Sequence, residues 1–201
     1  MLIGIAYRSD EFKLIPFEKE QINYEIFSPK EEDKYSKYDG FYLPGGDGWY
    51  KEDIKLIKYA KENNIPILGV CLGMQEISAF LLNEEKDITK KINNHNATEH
   101  LISIKKDSFL YNIVKREEIF VNSRHNDYIP KLSSLYVSAR SLDNCIEAVE
   151  IKDNSFFLGV QWHPESLYEK DEASRRIFRE FFTKNSQKKS LIACKTKLLF
   201  V

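Results

Sequence analysis

The sequence has 201 residues, a length typical of one domain or of one domain with a short tail. Hydrophobic residues make up 42%, charged residues 30%, and the formal net charge is −1. This composition indicates no electrostatic surface for nucleic acid or for an anionic membrane. The three cysteines, Cys71, Cys145 and Cys194, have neither paired nor metal-type spacing. The apolar residues 2–7 are too few for a signal sequence or a membrane span, so we expect a cytoplasmic protein.

The first half of the chain alternates apolar runs with helical patterns. Buried strands are predicted at residues 2–7, 23–28, 40–46 and 65–70, where short apolar or alternating runs end at turns or polar residues. Helices are predicted at residues 10–21 and 51–63, and again from Cys71 to about residue 82. The charged residues 30–39 are predicted to form a loop. This alternation predicts an α/β fold with a mainly parallel central sheet flanked by helices.

The second half has a different pattern, which predicts antiparallel strands added to that sheet. Short strands joined by turns are predicted at residues 101–105, 119–122, 135–140, 146–150 and 156–161. Residues 171–184 have an apolar face and predict a closing helix. Residues 186–201 mix lysines with apolar residues and either pack on the domain or extend freely.

The sharpest local pattern lies at residues 67–75, where an apolar strand leads into Cys71 and a helix begins at once. Gly69 and Gly73 flank the cysteine at two residues each. Small neighbours of this kind let a strained strand-to-helix turn expose a nucleophile. The helix start favours thiolate and offers a backbone N–H to an oxyanion. A lone cysteine in a strand is more often a small buried side chain, but the two glycines favour catalysis.

Of the four histidines, His163 is the best candidate for the catalytic base. It follows an apolar strand, and Glu165 projects to the same side of an extended chain. A carboxylate there fixes the imidazole tautomer and stabilises the imidazolium. A His-Pro-Glu tripeptide by itself is more often a surface turn, so this interpretation depends on the cysteine. His95 and His100 lie in a polar segment and are expected to be exposed or of minor importance.

A glycine turn ends another predicted strand, at residues 43–47. The carboxyl ends of parallel strands meet at one edge of a sheet, which would bring this turn beside Cys71. Gly45 and Gly46 would then supply one backbone N–H and Leu72 a second, which makes an oxyanion hole. A plain glycine turn is the alternative for this segment alone, and the strand context favours the functional interpretation.

These three segments, in this order, resemble the class I glutamine amidotransferase superfamily. Its marks are a Pro-Gly-Gly turn, a cysteine elbow of the form G-[VI]-C-x-G-x-Q, and a His-Pro-Glu near the carboxyl end. The resemblance covers residues 1–184 and implies a flavodoxin-like hydrolase domain, with residues 185–201 as a tail of unknown role. It implies a catalytic triad of Cys71, His163 and Glu165, a thioester intermediate, and no metal or organic cofactor.

The second half looks most like the peptidase C26 group, which includes γ-glutamyl-γ-aminobutyrate hydrolases. The resembling segments are residues 120–125, 135–140, 146–150, 157–166 and 171–178. The resemblance implies that the α-amino and α-carboxylate groups of a small γ-glutamyl substrate are bound, or their surroundings shaped, by Gln75, Asn122, Ser123 and His125. His125 as a second base is the less favoured alternative.

Several departures from the group leave the amine half of the substrate open. Leu72 replaces the arginine of the group's Cys-Arg-Gly pattern, as in the glutaminase domains of amidotransferases. Residues 81–85 differ from the usual stretch after the elbow helix, and the segment after the glycine turn is short. Asn126 and Asp127 replace the common His-Gln pair.

We therefore expect a cysteine-dependent hydrolase that releases glutamate and an amine, similar to γ-glutamyl-γ-aminobutyrate hydrolase. The alternative is a glutaminase subunit that supplies ammonia to a separate synthase. Leu72 favours this alternative, whereas the second-half motifs and the lack of a fused synthase domain favour a free-standing hydrolase. A catalytically silent binding protein is a third hypothesis, but no member of the triad is missing. A homodimer or a synthase is the expected protein partner.

Overall fold

The computed structural model describes residues 1–8, 13–134 and 136–198, without the side chains of Ala97 and residues 187–198. The described strands are β1 (Ile3–Ala6), β2 (Tyr24–Phe27), β3 (Gly40–Leu43), β4 (Ile67–Val70), β5 (Lys90–Lys91), β6 (Asn96–Ile104), β7 (Glu118–Arg124), β8 (Asp127–Tyr128), β9 (Val137–Ser141), β10 (Ile146–Glu150) and β11 (Phe157–Val160). The helices are α1 (Ile15–Lys19), α2 (Glu52–Glu62), α3 (Leu72–Leu81), α4 (Phe109–Val114), α5 (Pro164–Leu167) and α6 (Glu172–Leu198), with a 3₁₀ helix at Glu32–Lys37.

One mixed sheet organises the described residues, in the order β2-β1-β3-β4-β11-β10-β9-β6-β7. Strands β2, β1, β3, β4 and β11 are parallel, and the remaining neighbours are antiparallel. Strands β5 and β8 form a separate two-stranded ribbon. The predicted α/β class, with a mainly parallel sheet and an added antiparallel region, is confirmed.

Helices cover both faces of this sheet because each of its central strands is apolar on both sides. Strands β1, β3, β4 and β11 are buried along their whole length. One apolar cluster joins a face of the sheet to Phe17 of α1 and to Phe178 and Phe181 of α6. The other joins the opposite face to Ile57 of α2 and Ile77 of α3. The result is a three-layer domain whose strands β3, β4 and β11 end side by side.

Several element boundaries differ from those predicted. The helix predicted at residues 10–21 is the shorter α1, which has Pro16 in its first turn, and residues 9–12 lie outside the described part. The predicted loop at residues 30–39 contains a 3₁₀ helix. Helix α4 was not predicted because it has only six residues; Ser108 caps it by accepting a hydrogen bond from the Tyr111 N–H at 2.9 Å. Leu135, in the strand predicted at residues 135–140, also lies outside the described part.

Strand β6 begins five residues before the predicted strand. Its first half, from Asn96 to His100, pairs with β7, and only Ile102–Ile104 also pairs with β9. The first half is polar because it forms a two-stranded extension beyond β9. The polar residues of this segment therefore belong to a strand.

The last helix crosses the boundary predicted at residue 184. Helix α6 is continuous from Glu172 to Leu198, and the side chain of Asn185 is fully buried, with its Nδ2 donating to the Phe181 carbonyl at 2.6 Å. The role of the tail stays a prediction. Within the described residues, no helix combines the length and the apolar character needed to cross a membrane.

Candidate active site

Cys71 lies at the junction between β4 and α3, as predicted. Its backbone has φ 52° and ψ −105°, a strained conformation for a side chain other than glycine. The Cys71 N–H donates to the Val160 carbonyl of β11 at 2.8 Å, which holds the turn against the neighbouring strand. The predicted nucleophile elbow is therefore present in the structure.

The two glycines around Cys71 allow this turn to form. A methyl group on Gly69 would lie 2.6 Å from the backbone carbon of Gly73. A methyl group on Gly73 would lie 2.7 Å from Leu43 Cβ, at the end of β3. Both distances are below van der Waals contact, so only glycine lets α3 approach β4 and β3 this closely.

His163 follows β11, the strand next to β4, so its ring meets Cys71 at the edge of the sheet. His163 Nδ1 lies 2.7 Å from Glu165 Oε1, and Glu165 is 5% exposed in the first turn of α5. Because a carboxylate accepts, Nδ1 carries the proton and Nε2 is left for the thiol. Burial lowers the pKa of His163, but hydrogen bonds to Cys71 and Glu165 outweigh it and raise this pKa to about 10. The His163 imidazolium therefore lies beside the Cys71 thiol.

Asn122 forms two hydrogen bonds with the backbone of His163. Its Nδ2 donates to the His163 carbonyl at 3.1 Å, and its Oδ1 accepts from the His163 N–H at 2.9 Å. The Ser123 hydroxyl donates to the His95 carbonyl. Neither side chain is among those that line the cleft around Cys71. Of the two roles implied for them, shaping the wall fits these positions, and direct contact with substrate stays a prediction.

Gln75 and Gln161 connect Cys71 to the opposite wall of the cleft. Gln75 Nε2 donates to the Asp127 carbonyl at 3.2 Å and to Gln161 Oε1 at 3.3 Å. Gln161 Nε2 lies 3.6 Å from the Cys71 sulfur and donates to it. Gln161 was not among the predicted site residues. It lies two residues before His163, so in an extended chain its side chain projects to the same side as the His163 ring.

His125 lines the cleft, as predicted, but its ring is 4% exposed. Its Nδ1 lies 2.9 Å from the Asp127 carbonyl, the group that also accepts from Gln75. Burial lowers the pKa of His125 to about 4, so its imidazole is neutral near pH 7. This environment fits a structural or substrate-contact role better than that of a second base.

The expectation that His95 and His100 are exposed is wrong for His95 and only partly right for His100. The side chains are 5% and 20% exposed; His95 directly precedes β6, and His100 lies within it. Both rings pack together, with centroids 4.9 Å apart, beside the fully buried Glu147 of β10.

The glycine turn lies beside the cysteine and the histidine, as predicted. A methyl group on Gly45 would lie 2.8 Å from His163 Cε1 and 3.3 Å from Cys71 Cβ. Gly45, Gly46 and Leu72 all line the cleft with Cys71. This places the turn and the first residue of α3 on the same side of the nucleophile, where an oxyanion would form; the roles of the two N–H groups stay a prediction.

A buried ionic network that the sequence did not indicate supports this turn. Arg8 Nε donates to the Pro44 carbonyl at 3.2 Å. The Arg8 Nη2 group lies 2.6 Å from Asp53 Oδ2 and 2.9 Å from Glu76 Oε2, and all three side chains are fully buried. Burial and the adjacent Asp53 raise the pKa of Glu76 well above its usual range. Arg8 thus ties the glycine turn to α2 and α3.

The cleft above these groups has a volume of about 630 Å³. It is lined by charged and polar side chains of both signs and by the glycine turn: Lys13, Gly45, Gly46, Asp47, Gly48, Trp49, Cys71, Leu72, Gln75, Asp87, Thr89, Lys91, Arg124, His125, Asn126, Asp127, His163, Glu165 and Ser166. A cleft of this size admits a substrate larger than one amino acid.

A cysteine at a strained elbow, beside a histidine and a carboxylate on a mainly parallel sheet, places the chain in the class of proteins with the class I glutamine amidotransferase-like fold. The chain belongs to the Peptidase C26 family, whose model matches residues 49–165. This places it among amide-hydrolysing enzymes of the glutamine amidotransferase type.

Curated relatives and solved structures agree with this assignment. The chain is 30% identical to the CTP synthase of Clostridium acetobutylicum over 182 residues, covering 73% of this chain and 34% of the relative. The Staphylococcus aureus CTP synthase is 32% identical over 179 residues, with coverages of 71% and 33%. The chain therefore spans about one third of the length of these relatives.

The solved structures match nearly the whole chain. A candidate GMP synthase component from Thermoplasma acidophilum is 21% identical, has a TM-score of 0.76, and the match covers 96% of this chain and 98% of that one. The glutaminase domain of Trypanosoma brucei CTPS, with bound acivicin, is 21% identical with a TM-score of 0.73 and coverages of 92% and 93%. At these identities the likeness establishes the fold.

Replacing Asn122 by leucine is expected to lower kcat about 10- to 100-fold with a smaller change in KM. Leucine keeps the volume but removes both hydrogen bonds to the His163 backbone, so the ring loses its alignment with Cys71. Steady-state kinetics of glutamate release measure this split. Asn112→Leu is the matched control, since the Asn112 amide donates to Ser108 of the α4 cap. Equal kinetics for the Asn122 variant and wild type would contradict a positioning role.

Replacing Glu165 by glutamine is expected to move the alkaline limb of the activity profile to lower pH. The Glu165 carboxylate helps to raise the pKa of His163 to about 10, and glutamine keeps an acceptor oxygen but not the negative charge, so the imidazolium deprotonates earlier. The same raised pKa contributes stability that is complete below about pH 6.5 and lost as pH rises through about 10. Measuring kcat/KM against pH, with Glu169→Gln at an exposed carboxylate as control, tests this. An unmoved limb would contradict the assignment.

Proposed function

We propose that this protein hydrolyses a γ-glutamyl amide through Cys71, with glutamine as the first substrate to test. The observation that carries the proposal is the strained Cys71 turn, whose thiol meets a His163 ring already oriented by Glu165 at 2.7 Å. A structural role alone gives no reason for a non-glycine residue at positive φ beside a histidine that is paired with a buried carboxylate.

The reaction begins when the Cys71 thiolate attacks the γ-carbonyl carbon. The developing oxyanion accepts hydrogen bonds from the Leu72 N–H and from the turn at Gly45 and Gly46. The tetrahedral intermediate collapses as the imidazolium of His163 gives its proton to the leaving nitrogen, which leaves a γ-glutamyl thioester. His163, now neutral, takes a proton from water, and the hydroxide attacks the thioester. Glutamate leaves and the thiolate–imidazolium pair is restored.

Glutamine as substrate is supported by the cysteine elbow and by the relatives. Leu72 follows the cysteine, as in amidotransferase glutaminase domains. Proteins named CTP synthase match this chain over about one third of their length, and the T. brucei structure that shares its fold is a glutaminase domain. In this case ammonia is the product, and a separate synthase is the partner that uses it.

A second candidate substrate, γ-glutamyl-γ-aminobutyrate, is supported by the charges of the cleft. Lys13 and Arg124 line it, and Arg124 is exposed, with Nη1 donating to Ser166 Oγ at 3.3 Å. The amine half of this substrate ends in a carboxylate, which a guanidinium binds well. A free-standing hydrolase of such a conjugate needs no synthase, and a homodimer is then the expected assembly.

Replacing Arg124 by glutamine separates these candidates. If the guanidinium binds the distal carboxylate, KM for γ-glutamyl-γ-aminobutyrate rises about 10-fold or more, since a charge-assisted hydrogen bond contributes about 1.5–3 kcal/mol. KM for glutamine, which lacks that carboxylate, stays the same. Steady-state kinetics with both substrates measure the difference. Equal effects on both would contradict this role for Arg124.

The decisive experiment measures glutamate release from both amides by wild type and by Cys71→Ala. Binding of acivicin, the compound bound in the T. brucei glutaminase-domain structure, tests for a similar pocket without a synthase. Acivicin binding with slow glutamine turnover supports a glutaminase that depends on a partner. Turnover of γ-glutamyl-γ-aminobutyrate alone supports the second candidate. No acivicin binding and no turnover of either amide would contradict the proposal.

We also infer a cytoplasmic location. Thiol catalysis needs a reduced Cys71, and within the described residues Cys71 and Cys145 are both free thiols. Fractionation of cells that express a tagged chain would test this inference.

A further inference from the structure

A second cluster of side chains lies beside the cleft and is not used by the reaction. His95, His125 and Glu147 bring three ligand-type atoms together, all within 4.8 Å of one another, and all three residues are buried. His95 Nδ1 lies 3.3 Å from His125 Nε2 and 3.8 Å from Glu147 Oε1, and His125 Nε2 lies 3.9 Å from Glu147 Oε1. Ligands arranged tetrahedrally around zinc lie about 3.3–3.6 Å apart. If the three ligand atoms moved slightly closer together, their separations would match that geometry.

The outer nitrogen of each histidine is already bound to an acceptor. His125 Nδ1 lies 2.9 Å from the Asp127 carbonyl, and His95 Nε2 lies 2.8 Å from the Asp143 carboxylate. Carbonyl and carboxylate oxygens accept, so these outer nitrogens carry the protons. In neutral rings, the inner nitrogens then present lone pairs to each other and to Glu147. Such outer acceptors are the usual support of histidines that bind a metal.

Glu147 adds a buried carboxylate that faces both inner nitrogens. It is fully buried, and neither of its oxygens has a hydrogen-bond partner within the described residues, although His100 Nε2 lies at ion-pair distance, 3.2 Å from Oε1. The β9–β10 pairing shifts register on both sides of Ala148, next to Glu147. Irregularities of this kind change the direction in which a side chain projects. Two lone pairs and a buried carboxylate that converge favour a positive charge among them, which a metal ion between the ligands or a protonated His100 at 3.2 Å can supply.

We propose that His95 Nδ1, His125 Nε2 and Glu147 Oε1 bind one zinc ion, with water as the fourth ligand. Two imidazoles and a carboxylate are a ligand set that zinc accepts, and Asp143, 55% exposed, places the cluster one side chain below the surface. The ion is structural: through His125 it fixes the Asp127 carbonyl, which accepts from Gln75 in the cleft wall. A proton shared within the cluster is the competing explanation.

Zinc binding is tested in the full chain carrying Cys71→Ala and His163→Asn, which removes the thiol and the imidazole beside the glycine turn as competing zinc ligands. We expect one zinc per chain by elemental analysis after dialysis, removal of that zinc by a chelator, and a higher melting temperature when zinc is returned. Zinc binding is lost when His95→Asn or His125→Asn is added. Cobalt in place of zinc gives the visible absorption of a four-coordinate ion.

The variant Asp143→Asn provides a second test if the buried histidine variants do not fold. The Asp143 side chain is more than half exposed, so its replacement should not disturb folding. The replacement removes the negative charge that supports His95. We expect zinc affinity to fall about 10- to 100-fold while the circular dichroism spectrum is unchanged. Absence of stoichiometric zinc in the parent protein, or zinc binding that Asp143→Asn and the histidine variants leave unchanged, would overturn the site and favour the shared proton.

Discussion

Replacing Cys71 by alanine is expected to lower the rate of amide hydrolysis by at least about 10⁴-fold. Loss of the nucleophile removes the covalent route altogether, and in a comparable serine triad the loss of the nucleophile costs about 10⁶-fold in kcat. Binding of the substrate should change little, since the thiol is only 8% exposed and the cleft walls remain. Single-turnover measurements of glutamate release, with isothermal titration for binding, provide the two readouts.

Cys145→Ala is the matched control for this variant. Cys145 is also a free, buried thiol, but it lies outside the cleft lining, and burial raises the pKa of its thiol. Its replacement is expected to leave hydrolysis unchanged. If Cys71→Ala retains more than a hundredth of wild-type activity while Cys145→Ala does not, the nucleophile has been misassigned.

Replacing Arg8 by leucine is expected to destabilise the fold by about 3–5 kcal/mol. The change leaves Asp53 and Glu76 buried together without their cation, and it removes the hydrogen bond that Arg8 Nε donates to the Pro44 carbonyl. For a protein of this size the loss corresponds to a fall in melting temperature of about 10 °C. Chemical denaturation and thermal melting both measure it. Activity should fall as well, because Pro44 leads into the glycine turn beside Cys71.

Two further variants distinguish the buried charges from a general effect of removing a cation. Lys55→Ala removes an exposed pair with Glu32 at 2.7 Å and should leave the melting temperature nearly unchanged. Arg8→Leu combined with Asp53→Leu and Glu76→Leu should recover part of the lost stability, since no buried charge is then left unpaired. Equal stability of Arg8→Leu and wild type would show that the network contributes little.

Much of the fold follows from local patterns. Strands β1, β3 and β4 and helices α2 and α3 agree with prediction within a few residues, because each is a short apolar run or an amphipathic helix bounded by turns. The polar half of β6 and the short helix α4 were not predicted. Both depend on neighbours that are remote in sequence, β7 in one case and the α6 layer in the other.

The arrangement around the cysteine is predictable for the same local reason. The strand, the two glycines, Cys71 and the start of α3 are consecutive in the chain, and His163 and Glu165 are two residues apart. The order of parallel strands then brings β3, β4 and β11 to one edge. Motif and topology together were enough to place the glycine turn, the thiol and the imidazole side by side.

The sequence by itself therefore determined the elbow, the His163–Glu165 pair and the α/β class, since residues within one element or one turn create them. Only the tertiary structure decided what supports them. Asn122 reaches the His163 backbone across 41 residues, and Arg8 reaches Glu76 across 68. Glu147 of β10 likewise lies near two histidines that are remote in sequence, His95 just before β6 and His125 just after β7. A buried polar group needs a hydrogen-bond partner. The tertiary fold can supply that partner from any distance along the chain, so no sequence spacing predicts it.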